Sequence, residues 1–165
     1  MSFTLILDNL RSAHNVGSIL RTADAFGITN VICVGTTPHP ALPNDLRPGH
    51  VAVSNTREIA KTALGAEKSI SVSYEPDLKE TLKRLRNENI TLLALEQSGK
   101  SIALFDFKTR TNTLYGLILG NEVEGVDLSA LESSDLILEI PMQGTKESLN
   151  VAVAAGIAMY QLARI

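Results

Sequence analysis

Positive charge is scarce in this sequence of 165 residues. Fifteen Lys and Arg face eighteen Asp and Glu, leaving a net charge of −3, so no basic field advertises a nucleic acid partner. Local patches matter more than the total, and binding to phosphate is not excluded. There is a single cysteine, Cys33, inside the apolar run VICVG. It has no intrachain disulfide partner and reads as a buried, reduced thiol of a cytosolic protein. The three histidines lack metal-ligand spacing, so no metal is expected. Three nucleotide and hydrolase signatures are also missing: the Gly-Lys-Ser/Thr ending of a phosphate loop, G-x-G-x-x-G and G-x-S-x-G. The longest uncharged stretch, residues 148–163, carries Asn150 and Gln161 and falls short of the ~20 apolar residues a membrane span needs. The opening MSFTLILDNLR puts no basic segment ahead of a long apolar one, unlike a signal peptide. The expectation is a soluble cytoplasmic protein, without a membrane partner. Its length suits one domain over residues 1–165, with no internal repeat or linker.

What is present is an alternation of strands and helices, the pattern of a parallel α/β sheet. Residues 3–7 form a short strand broken by Asp8 and Asn9. Asn15 is a plausible helix N-cap; Val16, Ile19, Leu20, Ala23 and Phe26 follow at helical spacing, and Gly27 closes the helix. Residues 31–34 make a second strand. Residues 35–53 are the least regular part, with four prolines, His39, Arg47 and His50. Prolines stiffen such a loop and favour a substrate-facing lid over a floppy linker. A short helix is expected over 55–64, a strand over 70–74 and an amphipathic helix over 77–89. That helix turns Leu78, Leu82 and Leu85 inward and carries Lys79, Lys83 and Arg86 on another face. Strands follow over 91–95, 115–119 and 136–140, and residues 102–113 read as a connector.

The C-terminal third organises the rest. Its two strands break into GNEVEG and into IPMQGTKESLN, and strand ends that open into polar loops are where α/β sheets place ligands. Glycines on both sides of Glu122 permit close approach of backbone to a ligand, and Ser148 is read as the start of the last helix. That helix is apolar nearly all round, with Gln161 and Arg164 as its polar points. Burial on every side is rarely available to a terminal helix of a small monomer, so a subunit interface is expected.

Three segments carry a resemblance. Residues 9–27 (NLRSAHNVGSILRTADAFG), 117–126 (LILGNEVEGV) and 140–154 (IPMQGTKESLNVAVA) resemble, in that order, the motifs of the SpoU/TrmH-type RNA ribose 2′-O-methyltransferases of the SPOUT superfamily. Residues 61–67 (KTALGAE) look like the segment that follows the family's variable loop. The resemblance covers nearly the whole chain. It implies a single SPOUT-type α/β domain, a parallel sheet flanked by helices, with a C-terminal deep trefoil knot that periodicity could not show. It implies S-adenosylmethionine as methyl donor, held mostly by backbone around Leu95, Gly120, Ile140, Met142 and Leu149, and no metal. The matching catalytic positions are Asn15, Arg21, Glu122, Ser148 and Asn150. RNA, either tRNA or rRNA, is the implied substrate. The implied assembly is a homodimer through the C-terminal helix and the first-motif region. Ala152 stands where many members carry Ser, and no N-terminal substrate-binding extension is read. Two alternatives remain: an RNA base methyltransferase of the same superfamily, and a non-catalytic RNA-binding member. The second predicts damage at Arg21, Glu122 or Asn150, and none is seen.

Overall fold

The computed structural model describes residues 2–163. In chain order the elements are β1 (Ser2–Asp8), α1 (Ala13–Ala25), β2 (Asn30–Val34), α2 (Gly49–Ala63), β3 (Ser71–Glu75), α3 (Leu78–Asn87) and β4 (Ile90–Leu95). They continue with β5 (Ile102–Ala103), β6 (Leu114–Leu119), α4 (Leu128–Ser133), β7 (Leu136–Glu139) and α5 (Val151–Leu162). The strands form one seven-stranded sheet in the order β3-β2-β1-β6-β4-β7-β5, and each pairing is parallel. Helices cover both faces, so central strands are buried on both sides and read as continuous apolar runs. Leu5 and Leu7 of β1 pack with Leu117 and Leu119 under α1, α2 and α5. Ile6, Ile118 and Leu92 point the other way, onto Leu82 and Leu85 of α3 and Ala130 of α4. Cys33 lies in the first of these layers, fully buried; burial pushes its thiol up to about 12, so it stays protonated.

Local sequence fixes how the helices sit. α1 ends at Phe26; Gly27 (φ +70°) donates to Asp24 O and Ile28 to Ala23 O, the reciprocal pair of a Schellman motif. A Cβ at Gly17 would collide with Thr62 Oγ1 and the Ile59 carbonyl, so only glycine lets α1 and α2 cross this closely. α2 begins at Gly49, six residues before the start the sequence suggested, because Pro48 (φ −52°) sets the N-cap and a fixed φ favours helix initiation. His50 is therefore helical, and the irregular loop shrinks to residues 35–48. Arg47 pins that loop, donating to the carbonyls of His39 (3.0 Å) and Pro40 (3.0 Å) and to Asp45. His39 stacks on Tyr74 with ring centroids 4.6 Å apart. The connector over 102–113 holds a short edge strand, β5, that periodicity did not reveal.

α5 is the main departure. It is not buried all round: Ala155, Ala158, Met159 and Leu162 face the core, while Val153 (51% exposed), Ile157 (41%) and Tyr160 (58%) face outward. Phe26 meets Tyr160 at a centroid distance of 5.9 Å, extending this apolar stripe onto the end of α1. Arg164, expected as a polar point of the helix, lies outside the described residues. Among the described residues no helix is long and apolar enough to cross a membrane.

Candidate active site

A cavity of about 630 Å³ opens where β1, β6, β4 and β7 end, the carboxyl edge at which parallel sheets receive ligands. Leu95, Gly120, Ile140, Met142 and Leu149, expected around a cofactor, all line it, as does Ser148. Two glycines shape its wall. A Cβ on Gly120 would collide with the backbone of Gly125 and Val126, and one on Gly125 (φ +74°) would collide with the Glu96 carboxylate. Glu96 takes up that space, accepting from the Val126 N–H at 2.9 Å. Asn121 holds the loop: its Oδ1 accepts from Val123 N (2.8 Å) and Glu124 N (3.2 Å), and its Nδ2 donates to Asn9 O (2.7 Å). Sequence reasoning did not single out Asp8, Glu96 or Asn121. The one signal for Asp8 was a carboxylate at the very end of an otherwise apolar strand.

Three of the five expected catalytic residues meet beside this cavity. Glu122 accepts from the backbone N–H of Arg11 (2.9 Å) and Ser12 (3.3 Å), and from Asn15 Nδ2 (2.8 Å). Asn15 Oδ1 in turn accepts from Asn150 Nδ2 at 3.1 Å. The first motif, more than 100 residues from the other two in sequence, is thus joined to both in one chain of hydrogen bonds. Two cap assignments change. Ser12, not Asn15, caps α1, its hydroxyl accepting from Asn15 N, which leaves the Asn15 amide free for Glu122. Asn150, not Ser148, caps α5, accepting from Ala152 N at 2.9 Å. A hydroxyl or amide at either position suits a cap, so sequence alone could not choose. Arg21 and Ser148 stand outside the network. Arg21 is exposed on α1, and its side chain makes no hydrogen bond or ion pair among the described residues.

Electrostatically the cavity is one-signed. Its ionisable lining residues are Asp8, Glu96, Glu124 and Asp127, with no Lys, Arg or His among them. Asp8 is only 2% exposed. Burial, and secondarily the charge of Asp127, raise its carboxyl to about 6 against an opposing hydrogen bond from Asn9. Asp127 is held low by the Ser129 hydroxyl and N–H. At Glu122 burial acts upward, but the donors from Arg11, Asn15 and Ser12 outweigh it and the carboxyl lies below the ordinary range. It is a committed anion. Among the described residues no group of three or more His, Cys, Asp or Glu could hold a metal.

A parallel sheet with a cavity at its carboxyl edge, walled in part by one loop that depends on two glycines, defines a ligand-binding α/β domain. The chain belongs to the SpoU rRNA Methylase family, whose pattern matches residues 2–160. It is 32% identical over 163 residues to a Bacillus subtilis (strain 168) protein, YacO, assigned by name to the TrmH family of tRNA/rRNA methyltransferases. That match covers 98% of this chain and 58% of the relative. It is also 32% identical over 160 residues to the 23S rRNA (guanosine-2′-O-)-methyltransferase RlmB of Neisseria meningitidis serogroup B, covering 97% and 57%. The chain therefore spans under two thirds of these curated relatives. Among solved structures, the A. aeolicus TrmH/SpoU tRNA modifying enzyme superposes with a TM-score of 0.78 at 25% identity, covering 97% of this chain and 73% of that one.

Proposed function

We propose that this chain is a ribose 2′-O-methyltransferase domain acting on tRNA or rRNA with S-adenosylmethionine as donor. The carrying observation is the Asn150–Asn15–Glu122 chain of hydrogen bonds, whose neighbours Asn121, Val123, Leu149 and Val151 line the cavity. Family membership and the named activity of the RlmB relative support the choice of ribose over base. The cavity suits this donor on its own chemistry: its ionisable lining is anionic, appropriate to a sulfonium, and Gly120 and Gly125 leave backbone open to close approach. Leu95, Met142 and Leu149 would hold the apolar part of the adenosyl group, and Gly120 and Ile140 would offer backbone groups. When bound, S-adenosylmethionine supplies an electrophilic methyl group.

The chain's own residues then have three tasks. Glu122, Asn15 and Asn150 hold together the loops that line the cavity, aligning the reactants for in-line displacement. Ser148, beside them, offers a hydroxyl to the substrate. Arg21, exposed and with no side-chain partner among the described residues, receives the ribose and its phosphate and stabilises the alkoxide as it forms. A guanidinium is a poor base, so its role is charge stabilisation, and the proton leaves through phosphate or water. The domain works as a cytoplasmic homodimer in which the outward stripe of α5 and the adjoining end of α1 are covered. The place of β7 between β4 and β5 supports the threaded, knotted C-terminal segment.

The test is calorimetry of the free protein followed by single-turnover methylation of RNA from a strain lacking the gene. S-adenosylmethionine binding without RNA, and tritium from its methyl group in ribose, are the expected results. Binding of NADH in its place would overturn the reading.

A further inference from the structure

We propose that Asp8 is a specificity-determining residue that makes the cavity discriminate by net charge, favouring the cationic methyl donor over its neutral demethylated product. This rests on the cofactor reading above and extends it to how product is released.

The cavity's charged lining comes from several elements and has one sign: Asp8 from the end of β1, Glu96 from the end of β4, Glu124 from the β6–α4 loop and Asp127 from the N-cap of α4. Three of these are already engaged or in solvent. Glu96 is occupied by the N–H groups of Val126 and Gln97, Asp127 by Ser129, and Glu124 is exposed. Asp8 differs on each count. It is the only one of the four that is buried, so its field is the least screened. One of its oxygens accepts from Asn9 Nδ2 at 2.8 Å, and the other has no partner among the described residues, although the residue lines the cavity. No cation of the lining compensates it.

S-adenosylmethionine and S-adenosylhomocysteine share the amino acid zwitterion and the adenosine. They differ by one methyl group and by the sulfonium charge, so net charge falls from +1 to zero on transfer. An anionic, poorly screened wall attracts the first and not the second. The balance also works in reverse. Burial, and secondarily the charge of Asp127, disfavour ionised Asp8, so its carboxyl is raised to about 6. An arriving cation lowers that value, so binding near pH 6 expels a proton; a neutral ligand has no such leverage. Donor affinity should therefore rise between about pH 5 and pH 7 and then level off, while product affinity stays flat.

The experiment is isothermal calorimetry of wild type and Asp8→Asn with each ligand, at pH 6 in buffers of different ionisation enthalpy and again at pH 8. Asn keeps the acceptor for Asn9 and removes the charge. In wild type we expect fractional proton release with S-adenosylmethionine and none with S-adenosylhomocysteine. In Asp8→Asn, donor affinity at pH 8 should fall by about tenfold, with product affinity unchanged and the proton release gone. Equal loss for both ligands, or no loss for either, overturns the proposal. Should Asp8→Asn not fold, wild-type proton release decides alone, and equal release with the two ligands overturns it. A wild type that binds neither ligand instead sinks the cofactor reading on which the proposal stands.

Discussion

Asn15 uses both ends of its amide, donating to Glu122 and accepting from Asn150, and this polarity makes the network directional. Asn150→Asp keeps an oxygen for the Ala152 N–H, so the cap on α5 survives. It cannot donate to Asn15, whose own donor is held by Glu122. Thermal stability should change by less than ~1 kcal/mol, while the methyl-transfer rate falls at least about tenfold through lost alignment, as single-turnover kinetics would show. Arg21→Ala should cost on the order of 10²–10³ in the transfer rate and leave donor affinity intact in calorimetry. Arg21→Lys should rescue little, because the planar fork is lost. A near-normal rate in Arg21→Ala would return this residue to solvent. Asp8 carries a pH prediction of its own. Its pKa is raised in the folded state to about 6, so the fold binds this proton more tightly than the unfolded chain does. The protonated carboxyl contributes stability at acid pH, and that contribution disappears as pH rises from about 4 to about 6. Asp8→Asn should thus raise the melting temperature at pH 8, by up to the equivalent of ~3 kcal/mol, and barely change it at pH 4. Asn15, Arg21, Glu122 and Asn150 stand in the motifs and were named from them, whereas Asp8 lies just ahead of the first motif and was not. The division of labour within the motifs was not legible, since Ser12 and Asn15, or Ser148 and Asn150, are equally good caps on paper.

At the scale of elements, α5 presents two faces with opposite mutational signatures. Ala155 is fully buried within the chain, so Ala155→Glu should unfold the protein, an uncompensated buried charge costing several kcal/mol. Ile157 is 41% exposed on the outer stripe. Ile157→Glu should leave the fold intact and shift sedimentation at micromolar concentration from twice the chain mass to once. A wild type sedimenting as a monomer would refute the proposed dimer. Composition made α5 look buried on every side, because a run of Ala, Val, Ile and Met offers no polar face to orient it. Only the placement of α1 separates core from stripe. β1, β2, β4 and β6 were plain in the sequence for the opposite reason: strands covered on both faces read as unbroken apolar runs. The start of α2 was hidden by the prolines that surround it, although Pro48 is what initiates it. β5 is two residues long and has no period to detect.

Across the whole molecule, a chain with net charge −3 is proposed to act on a polyanion. Acidic side chains gather in the cavity, whereas Arg21 is exposed on α1, so charge is partitioned by place. Sheet order and the meeting of the three motifs were beyond periodicity, because they depend on pairings between segments more than 100 residues apart. What the motifs did specify was which loops would meet at the carboxyl edge, since each follows a strand directly. The central claim is ribose methylation of RNA, and the most direct test is in the cell. RNA from strains with and without the gene would be digested to nucleosides and fragments, and 2′-O-methyl positions mapped by mass spectrometry. The account predicts that a 2′-O-methylated nucleotide in tRNA or rRNA disappears with the gene and returns with the wild-type copy but not with Arg21→Ala. An unchanged ribose-methylation map, or the loss of a base methyl group alone, would contradict it.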